Sequence, residues 1–136
     1  MKKTLLFFYL LVPAFFFAQV TTAPALPSAN DEITVMLVTT GTGLDGYTGD
    51  VYAHTGVTVD GEQWQNVVGD TWGNNGGNPK MTKIDNVTYE LVISPDVFTY
   101  YGVATDKTIS EMSFVFRSSD ASRQTSPDIF ITLYKD

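Results

Sequence analysis

Apolar residues recur at every second position over short stretches of this chain, which is the spacing of half-buried strands. Residues 50–57, Asp-Val-Tyr-Ala-His-Thr-Gly-Val, put Val51, Ala53 and Thr55 on one face and Tyr52 and His54 on the other. Residues 32–40 alternate Ile33, Val35 and Leu37 with Thr34, Met36 and Val38, so both faces are fairly apolar and the strand is expected to be well buried. Residues 63–68, Gln-Trp-Gln-Asn-Val-Val, are expected to add a further short strand. Residues 80–84 and 87–93 flank Asp85-Asn86, which predicts a two-residue type I′ turn because Asp and Asn tolerate positive φ. In residues 108–117 Met112, Phe114 and Phe116 share a face, and in residues 128–134 Ile129, Ile131 and Leu133 alternate with Phe130, Thr132 and Tyr134.

One helix signal interrupts the strands. Ser94 suits the N-cap, Pro95 the first helical position and Gly102 the end, giving about two turns. Phe98 and Tyr101 are three apart and would close one end of the fold. About seven strands with regular turn signals and one short helix predict an all-β, immunoglobulin-like β-sandwich over residues 31–136.

The N-terminus reads differently. Lys2 and Lys3 precede an apolar run over residues 4–17, so residues 1–19 are expected to be a secretory signal peptide. The run falls short of the ~20 residues that a membrane span needs. Residues 20–30, with Pro24 and Pro27, are expected to be an extended linker. Export leaves periplasm, cell surface and medium as destinations, with no stable membrane insertion after signal removal.

The formal charge is −7. Without Lys2 and Lys3, six basic residues remain against fifteen acids, a net charge of −9. Such a surface argues against nucleic acid, whose phosphates require Lys and Arg. It suits a neutral ligand. There is no cysteine, so no disulfide supports the core.

Catalytic constellations are missing from the sequence. His54 is the only histidine, no Gly-x-Ser-x-Gly elbow occurs, and one histidine without cysteine is a poor zinc set. The glycine-rich loop over residues 40–49 carries Asp45, with Asp50 just after it, but their spacing matches no EF-hand and no metal site is assigned. No cofactor is expected. The residues instead suit sugar, because pyranose rings pack their C–H faces on aromatic rings and offer hydroxyls to planar polar groups. Tyr47, Tyr52, His54, Trp64 and Trp72 fall within twenty-six positions, beside the amides of Gln63, Gln65, Asn74 and Asn75. Aromatics at this density also build β cores, and for Tyr52 both readings stand. Trp72 lies among Gly and Asn and is expected to be exposed; the alternative is that it folds back over the sandwich edge.

The blocks Gly-Tyr-Thr-Gly-Asp-Val-Tyr-Ala-His-Thr-Gly-Val (46–57), Trp64, Trp72-Gly, Lys-Met-Thr (80–82), Tyr-Glu-Leu (89–91), Ile93-Ser94, Tyr-Tyr-Gly-Val (100–103), Phe-Val-Phe-Arg-Ser (114–118) and Asp-Ile-Phe (128–130) occur in that order. Together they resemble an N-terminal module of secreted alpha-amylase-family proteins of the Bacteroidetes. The resemblance covers about residues 30–134. More distantly, the order is similar to that of bacterial starch-binding modules, which are immunoglobulin-like sandwiches. That similarity implies that His54 and Trp64 stack glucose. In amylase-type proteins the module precedes a catalytic barrel, which this chain lacks, so no hydrolase activity is carried over.

The expected function is therefore a non-catalytic carbohydrate-binding module of a secreted glycan-degrading system, taking α-glucan such as starch or glycogen. His54, Trp64 and Trp72 would be stacking surfaces, and Tyr52, Gln63 and Gln65 polar or edge contacts. A separate glycoside hydrolase would be its partner. One alternative is a spacer or protein-interaction domain whose two tryptophans are buried and which binds no sugar. Another is a truncated N-terminal piece of a larger glycoside hydrolase.

Overall fold

The structure, a computed structural model, describes residues 19–69 and 71–136. The signal peptide expected over residues 1–19 lies outside the described residues, apart from Gln19. The strands are β1 (Val20–Ala23), β2 (Ile33–Val38), β3 (Val51–Val59), β4 (Glu62–Gln65), β5 (Thr82–Lys83), β6 (Thr88–Ile93), β7 (Ile109–Ser118) and β8 (Ile129–Thr132), with α1 (Val97–Tyr101) between β6 and β7.

They form two four-stranded antiparallel sheets, ordered β1-β2-β6-β5 and β4-β3-β7-β8. Lettered A, B, C, C′, D, E, F, G along the chain, these are the ABED and C′CFG sheets of an immunoglobulin-like sandwich. The predicted all-β sandwich is the observed fold.

The alternation in sequence explains the core. Ile33, Val35 and Leu37 of β2 and Tyr89, Leu91 and Ile93 of β6 face inward from one sheet. Val51, Ala53 and Val57 of β3 and Met112, Phe114 and Phe116 of β7 meet them from the other. The Phe114 and Phe116 rings stack at 5.2 Å. With no disulfide, close packing of these side chains carries the sandwich. Tyr101 is buried and Phe98 packs against the core, so α1 closes one end.

Three local expectations change. Residues 20–30 are not simply a linker, because Val20–Ala23 pairs with β2 from Val20↔Leu37 to Ala23↔Thr34 and caps its edge. The helix begins two residues later than expected. Asp96, not Ser94, is its N-cap, with the carboxylate accepting from the Thr99 N–H at 2.8 Å. The turn after β5 spans residues 85–87 without positive φ at Asp85 or Asn86, so it is not type I′. Asp85 Oδ1 instead accepts from the Val87 N–H. The tight positive-φ turn is Asp60-Gly61, at φ 49° and 85°, joining β3 to β4.

Candidate functional site

Tyr52 and His54 point away from the core, on the outward face of the β4-β3-β7-β8 sheet. Their neighbours on that face are set by strand register. Tyr52 pairs with Arg117 and His54 with Val115 on β7, while Ser113 pairs with Phe130 on β8. Outward positions of three strands thus lie side by side.

A bulge brings in Trp64. Val57 pairs with Gln65, but Val59 pairs with Glu62, so β4 contains one more residue than the segment of β3 it faces. Trp64 sits in that bulge at φ 57°, a left-handed conformation that is strained for a large aromatic residue. The chain then turns back over β3. The Val68 N–H donates to the Thr55 carbonyl at 2.9 Å. A Cβ on Gly56 would lie 2.8 Å from the Gln65 carbonyl oxygen, so only glycine permits this crossing without a shift. The result is a Trp64 ring 5.4 Å from that of His54.

The following loop delivers Trp72. Its ends touch at a narrow neck, where a Cβ on Gly69 would lie 2.3 Å from the Gly77 carbonyl carbon. Beyond the neck the chain rejoins β3, with the Ala53 N–H donating to Pro79 and the Met81 N–H to Val51. The loop between carries Trp72 onto the face, edge-on to His54 at 5.2 Å. Trp72 is 41% exposed, in agreement with the expectation, and Phe130 is 37% exposed. Phe130 meets Trp64 edge-on at 6.3 Å. Trp72, His54, Trp64 and Phe130 therefore form a chain of successive ring contacts at separations typical of favourable aromatic pairs.

Polar groups border the rings. Trp64 Nε1 donates to Asp128 Oδ2 at 3.2 Å. Gln63 is exposed, and Gln65, half-buried, donates from Nε2 to the Gln63 carbonyl. Below the rings lies Arg117, the largest of the fully buried side chains. Its guanidinium carbon stands 5.0 Å from the centre of the Tyr52 ring and 5.9 Å from that of Trp72. Burial pulls the pKa of Arg117 below its ordinary value, yet a guanidinium remains charged at neutral pH. Burial, and secondarily the charge of Arg117, lowers the His54 pKa, while Asp128 acts in the opposite sense. His54 is neutral at neutral pH. Its Nδ1 is buried with no hydrogen-bond partner among the described residues.

Of the residues singled out in the sequence, the structure brings Tyr52, His54, Trp64 and Trp72 together, with Gln63 and Gln65 on the same strand as Trp64. Tyr52 is half-buried against Arg117. Tyr47 has a different job: it packs against the core and its hydroxyl donates to the Asp50 carbonyl. Asn74 and Asn75 are not free rim amides. Asn74 Oδ1 accepts from Gly76, and Asn75 Oδ1 from Arg117. Asp45 accepts from the Gly41 N–H, and Asp50 pairs with Lys80 at 3.2 Å. No group of three metal-ligating side chains occurs among the described residues, nor any helix long and apolar enough to cross a membrane.

Sequence reasoning missed Phe130, Asp128 and Arg117 as members of this face. The alternation of Phe130 with Ile129 and Ile131 was a usable signal for an outward ring. For Arg117 and Asp128 there was none without the strand register. No protein-family model matches the chain, and no curated protein matches it.

Proposed function

We propose that this chain is an exported, non-catalytic carbohydrate-binding module that takes α-glucan on the outward face of its β4-β3-β7-β8 sheet. The observation that carries the reading is the chain of ring contacts from Trp72 through His54 and Trp64 to Phe130, open to solvent at both ends. Exposed aromatic rings suit the apolar faces of sugar rings, and Asp128 lies beside them for hydroxyls. Neutral His54 adds no charge that a neutral glycan would have to balance. The choice of α-glucan rests on the resemblance to starch-binding modules. A spacer domain with buried tryptophans accounts less well for a Trp72 held in a loop at 41% exposure.

Affinity electrophoresis tests the proposal, in gels containing soluble starch, dextran, xylan or no polysaccharide. Retardation by starch alone is expected, and its loss in folded Trp72→Ala and Trp64→Ala variants. Equal mobility in all gels would remove the glycan reading and favour the spacer.

A further inference from the structure

Arg117 is an unexpected residue for a glycan-binding face. Burying a guanidinium costs several kcal/mol unless its hydrogens are satisfied. Here Nη1 donates to Asn75 Oδ1 at 2.8 Å and to the Ser118 carbonyl at 3.1 Å, and Nη2 donates to Asn78 Oδ1 at 2.8 Å, while Nε is buried with no partner among the described residues. Both asparagines belong to the loop that carries Trp72. Each is also held from its other end: Asn75 Nδ2 donates to the Ser119 carbonyl and Asn78 Nδ2 to the Val68 carbonyl. The two amides thus link the loop to the sheet, and the guanidinium is their common donor. The Tyr52 and Trp72 rings lie against the same cation.

We infer that Arg117 is a positioning residue of the site: its planar guanidinium holds Asn75 and Asn78 so that the loop presents Trp72 over His54. The consequence for ligand rests on the glycan-binding reading, whereas the placement of Trp72 is measurable without any ligand. Two donors on one rigid plane reach the two amide oxygens together. A lysine ammonium keeps the charge but lacks this fork. A methionine fills much of the space with neither charge nor donor.

The experiment compares Arg117→Met, Arg117→Lys and Asn75→Ala with the parent. In a Trp64→Phe background Trp72 is the sole tryptophan, and its near-ultraviolet circular dichroism, emission and anisotropy report its placement. With Trp64 present, retardation by starch reports affinity. All three variants are expected to lose most of the Trp72 dichroism, to emit further to the red and to bind starch about tenfold more weakly, the scale of one misplaced aromatic contact. Arg117→Met is expected to melt below the parent, because the buried Asn78 Oδ1 loses its donor.

A space-filling role for Arg117 predicts something different: Met would preserve both the Trp72 signal and the affinity. An unchanged Trp72 signal in Arg117→Met would overturn the inference. Should that variant fail to fold, Asn75→Ala decides by the same readings, since it changes an exposed loop residue and leaves the arginine in place. If the parent itself is not retarded by starch, the glycan reading fails while the Trp72 signals still decide the positioning role.

Discussion

Replacing Trp64 by glycine should leave a more stable protein than replacing it by alanine. Both substitutions remove the same ring, with its contacts to His54 and Phe130 and its hydrogen bond to Asp128. Those losses cancel when the two variants are compared, and the backbone term remains. At an ordinary strand position glycine is worse than alanine by about 0.5–1 kcal/mol, because it gives up more freedom on folding. Trp64 is at φ 57°, where an L-residue with a Cβ is penalised by about 1–2 kcal/mol and glycine is not. The second effect is the larger, so the usual order inverts and glycine leads by about 0.5–1 kcal/mol. At the upper end this is roughly fivefold in the folding equilibrium and about 4 °C in melting temperature. Urea denaturation followed by far-ultraviolet circular dichroism measures it, provided the two variants share a denaturant slope. An alanine variant as stable as the glycine variant would refute the reasoning. β4 would then not carry its bulge at Trp64, and the aim of that ring at His54 would need another cause.

Phe130→Ala should weaken starch retardation several-fold while costing about 1–2 kcal/mol of stability, since the ring is 37% exposed; undiminished retardation would place the ligand at the Trp72 end alone. Gly56→Ala should destabilise by about 1–3 kcal/mol in urea, because its Cβ must push the Gln65 carbonyl off β3; unaltered stability would show that the chain does not cross there. His54 should make stability fall with acid. Its folded pKa lies below the ordinary 6.5, so the unfolded chain binds more protons in the window between the two values. Its contribution is complete above about pH 6.5 and is lost as pH drops towards the folded value. In His54→Gln the slope of stability against pH just below 6.5 should flatten, and an unchanged slope there would assign it to other groups.

Much of the fold was legible because period-two alternation is a local signal. Ile33, Val35 and Leu37, or Phe114 and Phe116, declare a shared face within a few residues. The local signals failed where competing choices were nearly equal. Both Ser94 and Asp96 can cap a helix, and the observed turn uses Asp96. The small residues and prolines of residues 20–30 suited a linker, yet the open edge of β2 gains hydrogen bonds by pairing with Val20–Ala23. Half of the candidate site was equally readable, since Tyr52 and His54 share a face and Trp72 sits in a polar loop. Arg117 was not readable, because a charge at the end of a strand usually faces solvent. Here the loop folded over it.

By itself the sequence determined an all-β chain of short alternating strands, its inward residues, its acidity and the cluster of aromatic residue types between positions 47 and 72. Only the tertiary structure decided that Tyr52 lies against Arg117, that Trp64 turns through a left-handed bulge, and that Phe130 extends the contacts begun by Trp72. The physical reason is that alternation divides a strand into two faces without naming the neighbours of either. Those neighbours come from the register of β3 with β7 and of β7 with β8, which joins residues far apart in the chain. That register is set by the packing of the whole sandwich.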